Sequence, residues 1–474
     1  MVIPLAVRLA AAGAIHLTED EAYYRLWSFA PALGYYDHPP MIAWWIALGR
    51  SLAGDNSLGV RLLPILGSAV TTVLTFDLAR LAGAGERGAN RAAIFFSAML
   101  LVTVGGALAV PDAPASLFWT ATIWGALKAR RGDAVRWWLA AGLAAGLACL
   151  SKYSALFLAP GVGLWLISSP SGRVALRRPG PWMAAAISLC VFGLNVGWNA
   201  EHHWLTFAKQ FGRVGSGAFT PIHLPEFVLG QFLLINPLIF VFAVRALTSR
   251  AVREASPLAI GPFVATSAPF ALYLLFHALH AQVEAHWPAP IYPAIALCAA
   301  AGAEDVKGAW ARLRIAAPVL GYALGAIALV WLAIPASILS LPADPALPVR
   351  GWRAFAVKVE ADRRAQDAAW VGTASYGSAA QLAGEAALRA PVIQLYERVR
   401  YLGLANGPPA NVGRPGLVVD LPRRLDLARL GRCFAIVRPV GPARRGDAGG
   451  PFTTYDEVVV SAPRVDLLAS GCPG

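Results

Sequence analysis

The chain has 474 residues, 57% of them hydrophobic and 14% charged, with a formal charge of +13. That balance, with a positive mean hydropathy, excludes an ordinary soluble domain and describes a chain built for a bilayer. Nor does the positive charge point to nucleic acid, because the basic residues sit in short loops between apolar runs: Arg80, Arg87 and Arg91; Lys128, Arg130, Arg131 and Arg136; Arg173, Arg177 and Arg178; Arg245, Arg250 and Arg253; Lys307, Arg312 and Arg314.

Apolar stretches near the roughly 20-residue length that crosses a membrane recur over residues 1–340. In chain order they fall near 1–17, 58–79, 92–110, 113–127, 137–150, 154–169, 181–199, 226–244, 257–277, 288–303 and 315–339, about eleven spans in all. Residues 1–17 read as an uncleaved anchor, since no basic segment precedes the apolar run and no small-residue cleavage site closes it. Basic loops alternate with basic-poor ones, which predicts a cytoplasmic N-terminus and places the loop after the first span on the opposite side. Small residues such as those of Ala140–Ala148 predict close helix packing.

At Ser340–Trp352 prolines and charges replace the apolar runs, a domain boundary. Residues 341–474 carry short alternating apolar pieces between Gly and Pro turns, which predicts a small α/β or mainly β domain outside the cytoplasm. Cys433 and Cys472 both fall there, and the sequence leaves a disulfide between them open. The expected fold class is thus a polytopic all-α membrane domain (1–340), with interfacial helices on its outer face, followed by this small domain (341–474).

The polar outliers of the membrane half gather on the outer side. Thr18 with Glu21 three residues on makes a capping box, and Glu21 with Arg25 an i,i+4 pair, so Asp20 and Glu21 suit a helix start. The same turn aligns Asp20 with Tyr23, Tyr24 and Trp27 at helical spacing, an acid among aromatics that suits a sugar or an interfacial lipid. In Tyr35–Pro40 the two prolines hold His38 extended and aim Asp37 and His38 at one place. Asp112 lies between two prolines, either a helix cap or a site residue. Lys152, in an apolar hairpin, reads as a cation for a lipid phosphate against the alternative of snorkelling. The next outer loop offers His202, His203, Lys209 and Arg213 beside an apolar stripe of Trp204, Phe207 and Phe211, the pattern of an interfacial helix. Glu284, His286 and Trp287 stand at the outer mouth of a late span, and Glu-x-His matches no standard zinc signature.

The ordered set "DEAYY", "GYYDHPP", "GVRLLP", "PDAP", "LSKY", "WN" followed by "HHW", and "EAHWPAP" resembles the GT-C superfamily of polytopic glycosyltransferases, in the bacterial branch of protein mannosyltransferases, aminoarabinose transferases of lipid A and rhizobial galacturonosyltransferases. The resemblance covers most of the first 300 residues. It implies a sugar transferase of the bacterial inner membrane, with a periplasmic site, a polyprenyl-phosphate-sugar donor, and an envelope lipid, glycan or protein as acceptor.

Carried onto this chain, the resemblance implies Asp20 as catalytic carboxylate with Glu21 assisting. Lys152, at the "SKY" position, Arg213 and His38 would meet the carrier phosphate, although a His at 38 departs from the lysine that follows the acid in the aminoarabinose transferases. Tyr23, Tyr24, Asp37, Asp112, Tyr153, His203, Glu284, His286 and Trp287 would line the substrate pocket. No cofactor is demanded by these residues, and a divalent ion shared by Asp37, His203 and His286 is left open. A transporter or flippase would instead place charges within spans and in repeated halves, and a non-catalytic envelope-assembly protein would have no need of these acids.

Overall fold

In a computed structural model of the chain, the structure describes residues 2–132, 134–212, 217–334, 344–401, 403–404, 411–447 and 450–473. The backbone divides into two compact units: one of Met1–Ala12, Ala32–Gly54 and Arg61–Leu329, the other of Gly13–Pro31, Asp55–Val60 and Val330–Gly474.

The first unit is helical. Among the described residues, three helices are long and apolar enough to cross a membrane, Ser57–Leu81, Pro179–Glu201 and Gly308–Ala333, or up to seven if each of four bent helix pairs is one span. About eleven were expected from the apolar runs, and the difference lies in helix length and bending. Val135–Cys149, at 15 residues, is only about 22 Å long. His223–Ile235 and Pro237–Thr248 meet at 107°. Asn236 makes that corner: it adopts φ 83° and is fully buried. Its Oδ1 accepts from Leu238 N at 3.0 Å and its Nδ2 donates to the Ala317 carbonyl at 2.7 Å, so one side chain satisfies groups that the broken helices leave open. A further helix, Met41–Ala53, stands where no span was expected, because its 13 residues are shorter than a membrane run.

Small residues set the spacing, as expected. A Cβ on Gly142 would lie 2.4 Å from the Ala184 carbonyl oxygen, and one on Gly321 only 1.8 Å from that of Ala98. The core joins many alanines to Trp119, Phe95, Phe242 and Phe270.

The second unit resolves the expectation of α/β or mainly β in favour of a mixed α/β sheet. Its strands β1 (Trp370–Thr373), β2 (Val392–Gln394), β3 (Gly416–Asp420), β4 (Phe434–Asp447) and β5 (Gly450–Pro463) lie in the order β2-β1-β3-β5-β4. Strands β2 and β3 run parallel to β1, and β5 is antiparallel to both β3 and β4. Every residue of β1, β2 and β3 is buried, as parallel strands covered on both faces require. Cys433 and Cys472 are joined in a disulfide.

The Glu19–Trp27 helix belongs to this second unit and packs on the Tyr376–Gly384 helix. Composition alone puts the boundary at 340, because the residues of Gly13–Pro31 carry no sign of which body they join.

Candidate active site

In the second unit, the capping box forms as expected: Thr18 N donates to Glu21 Oε2 at 3.0 Å, and Glu21 N to Thr18 Oγ1 at 3.2 Å. Glu21 is wholly buried, so its carboxylate fixes the helix start that carries Asp20. The Asp20 Oδ1 accepts from the Tyr376 hydroxyl at 2.8 Å. Burial, and then the charge of Asp20, push the Tyr376 phenol well above its ordinary pKa, so it stays a donor. The neighbouring Glu19 carboxyl is raised by burial, with Arg424 pulling the other way.

Tyr23 and Tyr24, expected to line the pocket, lie in the core of this unit. Tyr23 is 1% exposed, donates its hydroxyl to the Arg400 carbonyl at 2.9 Å, and stacks edge-on with Trp27 at 5.0 Å and Tyr376 at 5.2 Å. Tyr24 packs on Trp27 at 4.8 Å. Helical spacing aligned these rings as predicted, and the helix turned that face to the protein rather than to solvent.

In the first unit, the remaining charges assemble into two ion pairs. Lys152 Nζ lies 2.7 Å from Asp112 Oδ1, and Lys209 pairs with Asp37. Gln210 Nε2 donates to the Asp37 carbonyl at 2.5 Å, and the Lys209 ammonium sits 4.4 Å from the Tyr36 ring centre. Both pairs are buried enough that Coulomb attraction is little screened. His38 stands among them: burial first, then Lys152 and Lys209, lower its imidazole to about 3, against the opposing pull of Asp37 and Asp112. The ring is therefore neutral near pH 7, able to donate one hydrogen bond and to accept another.

Lys152, His38, Tyr153, Phe157, Phe270 and Trp287 line a cavity of about 400 Å³ that is otherwise mostly apolar. Its wall is fixed from below. The Tyr153 hydroxyl donates to Asn195 Oδ1 at 2.8 Å, and the short Leu205–Phe211 helix lays Phe207 and Phe211 on the Tyr153 ring at 5.1 and 5.8 Å. The expected apolar stripe thus partly covers this cavity. Lys152 also faces the Trp287 ring at 5.7 Å.

His286 Nε2 is 3.5 Å from Asp112 Oδ2, longer than a made hydrogen bond, and that oxygen has no hydrogen-bond partner among the described residues. Glu284 and His203 are exposed, and His203 has φ 55°. Arg213 lies outside the described residues. The three candidate metal ligands do not assemble: no group of three or more His, Cys, Asp or Glu fit for a metal occurs among the described residues. Asp37 is instead taken up by the Lys209 ammonium. Pairing Lys209 with Asp37, 172 positions apart, has no local signal in the sequence, and neither has the place of His277 and Gln210 in the cavity wall.

Residues 37–198 match the dolichyl-phosphate-mannose-protein mannosyltransferase family. The chain is 31% identical over 291 residues to the lipid A galacturonosyltransferase RgtD of Rhizobium johnstonii, covering 58% of each chain. It is 31% identical over 133 residues to the undecaprenyl phosphate-alpha-4-amino-4-deoxy-L-arabinose arabinosyl transferase of Pseudomonas aeruginosa, 27% of this chain and 24% of that one. It therefore spans less than two thirds of the length of these curated relatives. In fold it is similar to the crystal structure of ArnT from Cupriavidus metallidurans bound to undecaprenyl phosphate, with a TM-score of 0.63 at 16% identity over 99% of this chain and 98% of that one. In its first part the chain is thus similar to the dolichyl-phosphate-mannose-protein mannosyltransferase family, and along its length it shares the fold of the ArnT structure.

Proposed function

We propose that the chain is an integral-membrane glycosyltransferase that moves a sugar from a polyprenyl-phosphate donor to an envelope acceptor, either lipid A or lipopolysaccharide, another envelope glycan or a protein, on the periplasmic side of a bacterial inner membrane. Residues 1–340 form the membrane part, with a cytoplasmic N-terminus and about eleven crossings counting bent and short segments. Residues 341–474 form the extracytoplasmic part. The alternating basic loops and the Cys433–Cys472 bridge, which suits an oxidising compartment, support that orientation.

One observation carries the reading: a partly buried lysine, held at 2.7 Å by Asp112, stands on the wall of an apolar cavity suited to a prenyl chain. In the reaction, the acceptor oxygen attacks the anomeric carbon and its proton passes to the Asp20 carboxylate. The bond from that carbon to the phosphate oxygen breaks with its electron pair, and polyprenyl phosphate departs. Lys152, with Arg213 as second cation, stabilises the charge that grows on the phosphate, and neutral His38 supplies a hydrogen bond rather than a charge. Tyr376 orients Asp20, and Glu21 holds the turn. The sequence relation to lipid A sugar transferases supports lipid A as the first acceptor to test.

Native mass spectrometry of the purified chain, wild type against Lys152→Ala, tests the reading. Polyprenyl-phosphate species that co-purify with the wild type and vanish in the variant support it; no such species, even after undecaprenyl phosphate is added, sinks it.

A further inference from the structure

Away from the candidate site, two chambers of the helical unit meet at one side chain. The first, of about 240 Å³, is lined by Arg130, Trp138, Ser171 and Arg178 among others, and no carboxylate stands on its wall among the described residues. The second, of about 360 Å³, is almost wholly apolar: Leu166, Leu176, Leu189 and Phe192 help to line it, and no charged side chain does. Trp138, 5% exposed, belongs to both walls.

The fold makes this meeting. The Pro170–Leu176 helix turns back by 118° from Tyr153–Ser168, and Ser171 on it accepts a hydrogen bond from Arg130, in the last turn of the Asp112–Gly132 helix. The Arg130 guanidinium also lies 4.7 Å from the Trp165 ring centre. Gly180 seats the shared indole, since a Cβ there would lie 2.3 Å from Trp138 Cδ1. Arg130, Arg131, Arg136, Arg173, Arg177 and Arg178 fall in the two loops at this end, with Asp133 the one acid among them.

Cations at one end and hydrocarbon at the other select an amphiphile whose anionic group and chain are covalently joined. Arginine forks bind phosphate oxygens through charge-assisted pairs, and basic pockets between membrane helices take anionic headgroups. An indole at the boundary suits the level where headgroup gives way to chain. A free anion would use the first chamber alone, and a zwitterionic lipid would bring an ammonium that no acid on the described wall answers.

We propose that the two chambers bind an anionic glycerophospholipid of the surrounding bilayer, with its phosphate between Arg130 and Arg178 and an acyl chain running past Trp138 along Leu176 and Leu189. The orientation proposed above puts this lipid in the cytoplasmic leaflet, opposite the sugar chemistry. It uses none of the side chains assigned to transfer, so it goes beyond the transferase reading and fails separately from it. By joining Arg130 to the Pro170–Leu176 segment, the lipid ties a bent helix to the bundle. Leu156 lines both the apolar chamber and the cavity at Lys152, which makes the far end of a prenyl chain the rival occupant.

Native mass spectrometry tests the assignment on the full-length purified chain, stripped of lipid and given equal amounts of phosphatidylglycerol and phosphatidylethanolamine. The wild type should favour phosphatidylglycerol about tenfold, the scale of one to two arginines at an anionic headgroup. Arg130→Gln combined with Arg178→Gln should bring the ratio near one, while Lys152→Ala should leave it unchanged. Equal uptake by the wild type, or an unmoved ratio in the double variant, overturns the site. Where the double variant does not fold, Ser171→Asp, at an exposed position, decides: a lower ratio supports the site and an unchanged one overturns it. A phosphatidylglycerol adduct that persists beside bound undecaprenyl phosphate supports a separate lipid site. Displacement by undecaprenyl phosphate overturns it in favour of the prenyl chain, and loss to inorganic phosphate overturns it in favour of a free anion. Phosphatidylglycerol binding with no uptake of undecaprenyl phosphate removes the transferase reading alone.

Discussion

The acids singled out by the sequence in the helical unit and those near Asp20 in the sheet unit are held in different ways. In the helical unit, Asp37 and Asp112 are each met by a lysine, Lys209 and Lys152. In the sheet unit, Asp20 is met by a phenol, Glu21 by a backbone N–H, and Asp420 at the end of β3 by the N–H groups of Ala374, Ser375 and Leu421 with the Ser378 hydroxyl. Strand ends and helix starts leave N–H groups free to solvate an acid without a counter-charge, as at Asp420, whereas Asp37, at a bend, and Asp112, the first residue of its helix, each take a side-chain cation. A lysine paired to an acid can be lent to a phosphate, whereas an acid solvated by neutral donors keeps its own charge available for a proton.

The largest effect expected from that contrast is at Asp20. Asp20→Asn should lower turnover by about 10²–10⁴-fold while thermal stability moves little, since the Tyr376 hydroxyl keeps an acceptor. A melting temperature that collapses together with activity would break the distinction. Next comes Lys152→Met, which leaves Asp112 buried without its cation and should cost roughly 3–5 kcal/mol. Adding Asp112→Asn should return most of that stability without the activity, as read by thermal unfolding in detergent. An additive double mutant would mean the two are not coupled.

Removing the Cys433–Cys472 bridge, which closes a 39-residue separation, should destabilise the sheet unit by up to about 4 kcal/mol. Protease sensitivity confined to residues beyond 344 would report it. Tyr376→Phe should cost about 1 kcal/mol and raise the apparent pKa on the acidic limb of the pH–rate profile, because the carboxylate loses a donor; an unmoved limb would separate this phenol from the chemistry.

The smallest effect is a pH dependence at Glu457 on β5, 3% exposed, with Oε1 lacking a hydrogen bond among the described residues. Burial, then Asp362, raise its carboxyl to about 7. The folded unit therefore holds a proton that the unfolded chain has lost. Stability is complete below the ordinary carboxyl range near 4.5, declines as pH rises toward 7, and stays low above it. Glu457→Gln should flatten that decline in pH-dependent melts.

Much of this molecule is written locally. The apolar runs, the basic loops, the composition break near 340, the Thr18–Glu21 capping box and the ordered motifs depend on residues a few positions apart, so the sequence by itself determined the membrane class, the GT-C resemblance and the helix that carries Asp20. Lys152 and Asp112 were visible as charges in apolar surroundings. What only the tertiary structure decided are partnerships across many residues: Lys209 with Asp37, Tyr376 with Asp20, Arg8 with Ser68. It also turned Tyr23 and Tyr24 inward, joined Gly13–Pro31 to the sheet unit, and bent helices that hydropathy reads as straight. Hydropathy and periodicity record what a segment must bury; which distant segment covers it, and which charge answers another, is settled when the packed chain leaves each buried polar group a single place to find its partner.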